Sequence, residues 1–232
     1  MIQDNIERVY KQIEEACKRV GRDPDDIKLI AVTKTHSAAK INEALSFGIK
    51  SFGENKIQEI EEKMPDINRQ GKEFHFIGHL QSNKINKLIE LEPVLIHSIE
   101  KYSTAERLNK SLLRRGLTQD VLIEVNTSGE KSKNGVDPDD LNDLIKMISE
   151  LSNVHIRGLM TIGTLTDDSD EIRRCFRQLR DLFQALKAQS IDNVEMKYLS
   201  MGMSGDFEIA IEEGSNLIRL GSIIFGQRHY EK

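Results

Sequence analysis

Residues 28–37 read KLIAVTKTHS, a short run of branched apolar residues that stops at a lysine, Lys34. Apolar residues in succession, rather than alternating with polar ones, mark a strand buried on both faces, as in a parallel sheet. Seven runs of the same kind follow: IKSFGE (49–54), EFHFIG (73–78), VLIHSI (94–99), DVLIEVN (120–126), VHIRGLMTIG (154–163), EMKYLSM (195–201) and NLIRLGS (216–222). Helical patterns separate them, and parallel neighbours require such crossovers. Two topologies satisfy this alternation, the doubly wound open sheet and the closed (β/α)8 barrel. Eight strands fit the barrel. The doubly wound dinucleotide-binding alternative wants a glycine fingerprint after its first strand, and TKTHSAAK (33–40) has none. The expectation is therefore α/β, one (β/α)8 TIM barrel over residues 1–232.

An additional helix opens the chain. Ile2, Ile6, Val9, Tyr10, Ile13, Cys17 and Val20 recur at three- and four-residue spacings, and Gly21 stands where a helix C-cap belongs. A similar stripe, Ile172, Phe176, Leu179, Leu182, Phe183 and Leu186, reads as core.

Composition narrows the classes of function. At 232 residues, with 38% hydrophobic and 31% charged, the chain can bury a sizeable core. No run approaches the roughly 18 apolar residues of a membrane span, and the first residues are charged and amphipathic rather than signal-like. A soluble, cytoplasmic protein is expected. A net charge of −5 and 5% aromatic residues argue against a nucleic-acid surface. Cys17 and Cys175 fit neither a disulfide framework nor a zinc site, and no histidine pair has metal-ligand spacing.

In a barrel the active face lies at the C-terminal ends of the strands. Here those ends carry Lys34, Asn55, His79, Ser98, Asn126, Thr161, Ser200, Ser204, Arg219 and Ser222. A lysine amine made neutral by burial or nearby positive charge forms a Schiff base with a carbonyl. The structural alternative is a strand-end lysine that reaches water or pairs with Glu54 or Glu124. The loops after strands seven and eight, SMGMSGD (200–206) and RLGSIIFG (219–226), hold small and hydroxyl residues where barrels commonly bind phosphate, and a helix starting near Asp206 would add its dipole. A carbonyl compound with a phosphate handle fits both features. His75 and His155, within strand patterns, read as structural, while His79 at a strand end either reaches the site or caps the helix near Ser82.

AVTKT, FGENKIQE, HFIGHLQSNK, HSIE, EVNTSGEKSKNG, RGLMTIG, LSMGMSGDFEIAI and IRLGSIIFGQR together resemble the pyridoxal phosphate homeostasis proteins, nearly end to end. That family is similar to the barrel domain of alanine racemase and of fold-type III decarboxylases. The resemblance implies pyridoxal 5'-phosphate held as a reversible Schiff base on Lys34. It implies a phosphate held by Ser204, Gly221 and Ser222, a loop lined by Ser200 and Met201, Asn55 beside the cofactor, and Arg219 against the pyridine nitrogen. A salt bridge from Arg219 to Glu208, Glu212 or Glu213 is the structural alternative. TKTHSAAK departs from many relatives, which carry a proline and another basic residue soon after the lysine, so the shape of the first loop is open.

Two functional classes follow, a carrier that buffers or supplies the cofactor to apo-enzymes, and an amino-acid racemase or decarboxylase. Arginine at the pyridine nitrogen can only donate, which weakens carbanion stabilisation. Racemases of this type append a β-domain bearing a second base, whereas this sequence runs six residues past Gly226, with Tyr230 in the tail. The expectation is a carrier and not an enzyme, monomeric or weakly dimeric.

Overall fold

The computed structural model describes residues 1–130 and 133–226; Tyr230 lies outside them. All eight apolar runs form strands: β1 (Lys28–Val32), β2 (Ser51–Glu54), β3 (Glu73–Phe76), β4 (Leu95–Ile99), β5 (Gln119–Glu124), β6 (Val154–Met160), β7 (Val194–Ser200) and β8 (Leu217–Leu220). They pair in parallel, in sequence order, and β8 returns to β1 to close the barrel. Closure leaves no sheet edge among these strands.

Helices α1 (Ile2–Arg19), α2 (Ala38–Ser46), α3 (Ile57–Lys63), α4 (Ile85–Glu90), α5 (Tyr102–Arg115), α6 (Leu141–Ser149), α7 (Ser169–Lys187), α8 (Phe207–Glu212) and α9 (Ser222–Phe225) surround it. The large core lies between strands and helices. It includes Phe52, Phe74, Phe76, Ile123 and Phe176, whereas Ile30, Leu95, Leu122, Met160 and Leu217 form a small cluster inside the barrel. This division follows the two-residue alternation of each strand.

The opening helix buries Ile2, Ile6, Val9, Ile13, Ala16 and Cys17. Tyr10 and Val20, expected on the same stripe, stay 39% and 41% exposed. Val20 is the C-cap beyond the last turn, and Tyr10 adjoins buried Val9 at the margin of a face only as wide as its partners. Those partners are chiefly α8 and α9. Asn5 donates to the Ile224 carbonyl at 2.9 Å, and Arg22 donates to the carbonyls of Ile211 and Ser215, each at 2.7 Å. In α7 the expected stripe is buried except Leu182, which is half-buried, and Cys175 joins it.

The β7–β8 seam differs from the others. β5 and β6 register at five residue pairs, β7 and β8 only at Ser200 with Leu217. Side chains supplement the ladder: Asn216 accepts from the Leu199 amide at 2.7 Å and donates to the Lys197 carbonyl at 2.8 Å.

Candidate functional site

Strand register delivers the lysine. Val32 of β1 pairs with Gly53 of β2, so two residues further on the chains reach Lys34 and Asn55 together. On the other side Ala31 pairs with Leu220, and a Cβ added to Gly221 would lie 3.4 Å from the Cβ of Val32. The first loop therefore stands between the loop after β2 and the loop after β8. β1 itself ends at Val32, and Lys34 is half-buried in the turn beyond it.

That turn is shaped by residues whose roles the sequence did not disclose. Thr35 has φ of 68°, unusual for a β-branched residue, and its amide donates to Glu59. Glu59 and the buried Glu54 share Lys63, whose ammonium also donates to the Thr33 carbonyl at 3.2 Å. Glu54 further accepts from the Thr33 hydroxyl at 3.0 Å, and burial raises its carboxyl above the ordinary value despite Lys63. His36 stacks on Phe225 of α9 with ring centroids 4.6 Å apart. This contact joins the Lys34 loop to α9, which follows β8.

The loops after β7 and β8 meet through one bond, with Ser204 Oγ accepting from the Gly221 amide at 3.2 Å. Gly202, at φ of 98°, lies so close to α8 that a Cβ there would fall 2.5 Å from the Cβ of Ala210. No L side chain fits without displacing the loop. The Met201 side chain is buried in the layer outside the barrel, so it contributes backbone to this loop. Ser222 is exposed at the start of α9. The helix expected to begin near Asp206 spans Phe207–Glu212, six residues.

Arg219 is the buried cation of the site. Its Nη1 donates to Ser200 Oγ at 2.5 Å and its Nη2 to the Thr161 carbonyl at 2.9 Å. Desolvation lowers its pKa to about 10, with Asp206 and Glu124 acting against that shift, so it remains a cation at neutral pH. The alternative of a salt bridge on the preceding helix is not what the fold builds. Glu213 is held by Arg173, Arg177 and Arg180, Glu212 by Arg19 and Arg173, and Glu208 by Arg19. Glu124, near Arg219, is pushed up to about 7, first by burial and then by the charge of Glu100.

Asn55 Oδ1 is buried without a hydrogen-bond partner among the described residues. A cleft of about 330 Å³ opens beside it, lined also by Gly78, His79 and Lys84. His79 faces Glu100 at 3.7 Å and does not cap the turn at Ser82, whose N-cap is Gln81. Ser98, Asn126 and Thr161 bind neighbouring loop groups: the Gly78 carbonyl, the Glu130 carbonyl and the Thr127 hydroxyl. His155 bonds Asn193, and His75 lies inside the barrel against His97.

A closed parallel barrel with a lysine after β1, a buried arginine on β8 and hydroxyl loops after β7 and β8 defines a class, and comparison with known proteins gives it a family. The model for "Alanine racemase, N-terminal domain" matches residues 4–229. A "Pyridoxal phosphate homeostasis protein" of Aquifex aeolicus is 41% identical over 98% of both chains. One of Haemophilus influenzae is 39% identical over 99% of this chain and 97% of that one. Among solved structures, PipY of Synechococcus elongatus with PLP bound is 33% identical, with a TM-score of 0.85 over 97% of this chain and 100% of its own. The chain belongs to the pyridoxal phosphate homeostasis protein family, built on the alanine racemase N-terminal domain.

Proposed function

We propose that this chain binds pyridoxal phosphate at the C-terminal mouth of its barrel, through Lys34, and that it stores and supplies the cofactor rather than transforming amino acids. The observation that carries this reading is the convergence of Lys34, Asn55, Arg219 and the Ser204–Gly221 contact on one side of the mouth. The residues suit the group. Asn55 has a buried carbonyl oxygen awaiting a donor. Ser204 uses a lone pair on the Gly221 amide, which leaves its O–H for a phosphate oxygen. The amides of Ser222 and Ile223 begin α9 and have no carbonyl one turn earlier to bond.

When bound, pyridoxal phosphate supplies an aldehyde that a lysine amine captures covalently and reversibly, and a ring that delocalises charge. Lys34 is the amine of this reading, Asn55 the acceptor beside the ring, and Ser204, Gly221 and Ser222 the phosphate cup, entered from Ser200 and Met201. Arg219, protonated and already anchored to neutral acceptors, could only donate to the ring nitrogen of a bound cofactor, which would disfavour carbanion chemistry. The family relationship supports this role, since the relatives are named pyridoxal phosphate homeostasis proteins.

Borohydride reduction of the loaded protein followed by peptide mapping tests the assignment. The label is expected on Lys34, and loaded protein is expected to activate an apo-form pyridoxal phosphate enzyme without racemising or decarboxylating common amino acids. A label on another lysine, or undiminished stoichiometric binding in Lys34→Ala, overturns the site. Rapid turnover of an amino acid, abolished by Lys34→Ala, overturns the carrier role.

A further inference from the structure

Eight-stranded barrels ordinarily fill their interior with apolar layers. Here a column of polar side chains passes beside the small apolar cluster from one end of the barrel to the other. At the N-terminal end the Glu73 carboxylate accepts from Lys28 at 2.5 Å and from Ser51 at 2.8 Å. His75 Nε2 lies 3.5 Å from the same carboxylate, and His75 Nδ1 lies 3.1 Å from His97 Nε2. His97 Nδ1 lies 3.3 Å from Ser200 Oγ, which accepts from Arg219.

With both imidazoles neutral, one arrangement of protons satisfies every member. A carboxylate accepts, so His75 must present Nε2–H to Glu73 and a bare Nδ1 to His97. His97 then donates from Nε2 and is left with a bare Nδ1, which takes the Ser200 proton. Ser200, with its proton committed, offers lone pairs to Arg219. Both imidazoles are neutral in this arrangement, in line with the burial that lowers each below its ordinary value. Glu73 is held well below the usual carboxylate range, by the His75 N–H first and then by Lys28 and Ser51, so it is an anion throughout the neutral range.

We propose that His75 and His97 are positioning residues, a one-directional relay by which the carboxylate of Glu73 at the N-terminal end fixes the Ser200 hydroxyl and, through it, the guanidinium of Arg219 at the opposite end. Each N–H is polarised by the acceptor beyond it, so the charge of Glu73 strengthens the acceptor that Ser200 presents. No proton is transferred; the column sets orientation. Its lower end borders a cleft of about 500 Å³ lined by Lys28, Ser51 and Glu73, so it can be altered there without touching the upper loops. The consequence for the cofactor rests on the pyridoxal phosphate reading above, while the direction of the hydrogen bonds does not.

Long-range 1H–15N spectra of the cofactor-free protein test the relay by itself. Both histidines are expected as neutral Nε2–H tautomers, and Glu73→Leu is expected to bring the Nδ1–H form into His97. In loaded protein, Glu73→Leu is expected to shift the visible band of the bound cofactor and to weaken its retention about three- to tenfold, the range of one lost hydrogen bond. Leu95→Ala opens the same interior beside His75 while keeping every polar member of the column, and is expected to lower Tm while leaving the band in place. An Nδ1–H or charged histidine in the natural chain overturns the relay, as does Glu73→Leu with unchanged tautomers. Altered tautomers with an unchanged band and retention overturn its action on Arg219, and so does a band shift in Leu95→Ala equal to that of Glu73→Leu. Failure of the natural chain to bind the cofactor falls on the pyridoxal phosphate reading and leaves the spectra of the relay standing.

Discussion

Ser204 and Ser222 occupy adjoining loops but differ in exposure, one half-buried and bonded to Gly221, the other open at the start of α9. Hydrogen bonds to charged groups contribute about 1.5–3 kcal/mol each. Ser204→Ala and Ser222→Ala are each expected to weaken pyridoxal phosphate retention about tenfold or more, measured by equilibrium dialysis, with pyridoxal unaffected. Equal losses for both ligands would make these serines part of the scaffold. Glu124 gives a pH prediction. Its carboxyl rises from an ordinary value near 4.5 to about 7 in the fold, so the folded state holds the extra proton. The associated stability is complete below the unfolded value and is lost as pH rises through 7. Glu124→Gln keeps a neutral group, so its urea midpoint is expected to gain on that of the natural protein between about pH 5 and 8; parallel profiles would show that Glu124 does not titrate there. Lys34, Asn55 and Arg219 stood out as candidates because Lys34 and Arg219 break apolar runs near strand ends and Asn55 follows the end of β2. The roles of Glu59, Lys63 and His36 were not legible, because the partners through which they shape the first loop, Thr35, Thr33 and Phe225, are distant in sequence, and an i,i+4 charge pair on a short helix reads as a solvated face.

Helix α1 is legible as amphipathic from spacing alone, yet nothing in that spacing says what it covers. The structure places it against α8 and α9, the two short helices that follow the loops after β7 and β8. Neither of those, at six and four residues, is long enough to persist by its own hydrogen bonds. Packing against α1 supplies what propensity does not. Ile6→Ala is expected to cost about 2–5 kcal/mol in a denaturant titration and to speed loss of the cofactor. Leu113→Ala, 62% exposed on α5, is expected to change stability by no more than about 0.5 kcal/mol and to leave retention alone. Loss of stability in Ile6→Ala with unchanged retention would separate the helix from the site. The eight strands were legible in number and order because a both-faces-buried strand writes its apolar residues consecutively. Their exact ends were not, since Thr33 extends the β1 run in sequence while the strand itself stops at Val32 and Lys34 lies in the turn beyond.

The closed barrel was legible from the count of strands and the missing glycine fingerprint, but closure hides a difference between its joints. β7 and β8 register at a single residue pair, and the loops that leave them carry Ser204 and Gly221. A closed barrel has no edge to fray, so the joint with the shortest strand register is where local opening is expected, and openings of this kind are read by amide hydrogen exchange. The amides of Met201 and Arg219, which bond across that joint to Leu217 and Gly202, are expected to exchange faster than those of Val121 and Ile123 in the five-pair β5–β6 joint. A ligand that spans the joint binds only its closed form, so loading with pyridoxal phosphate is expected to slow exchange at Met201 and Arg219 selectively. The escape of the cofactor and the breathing of the barrel would then be one motion, and the off-rate of the carrier would be limited by how often two strands part.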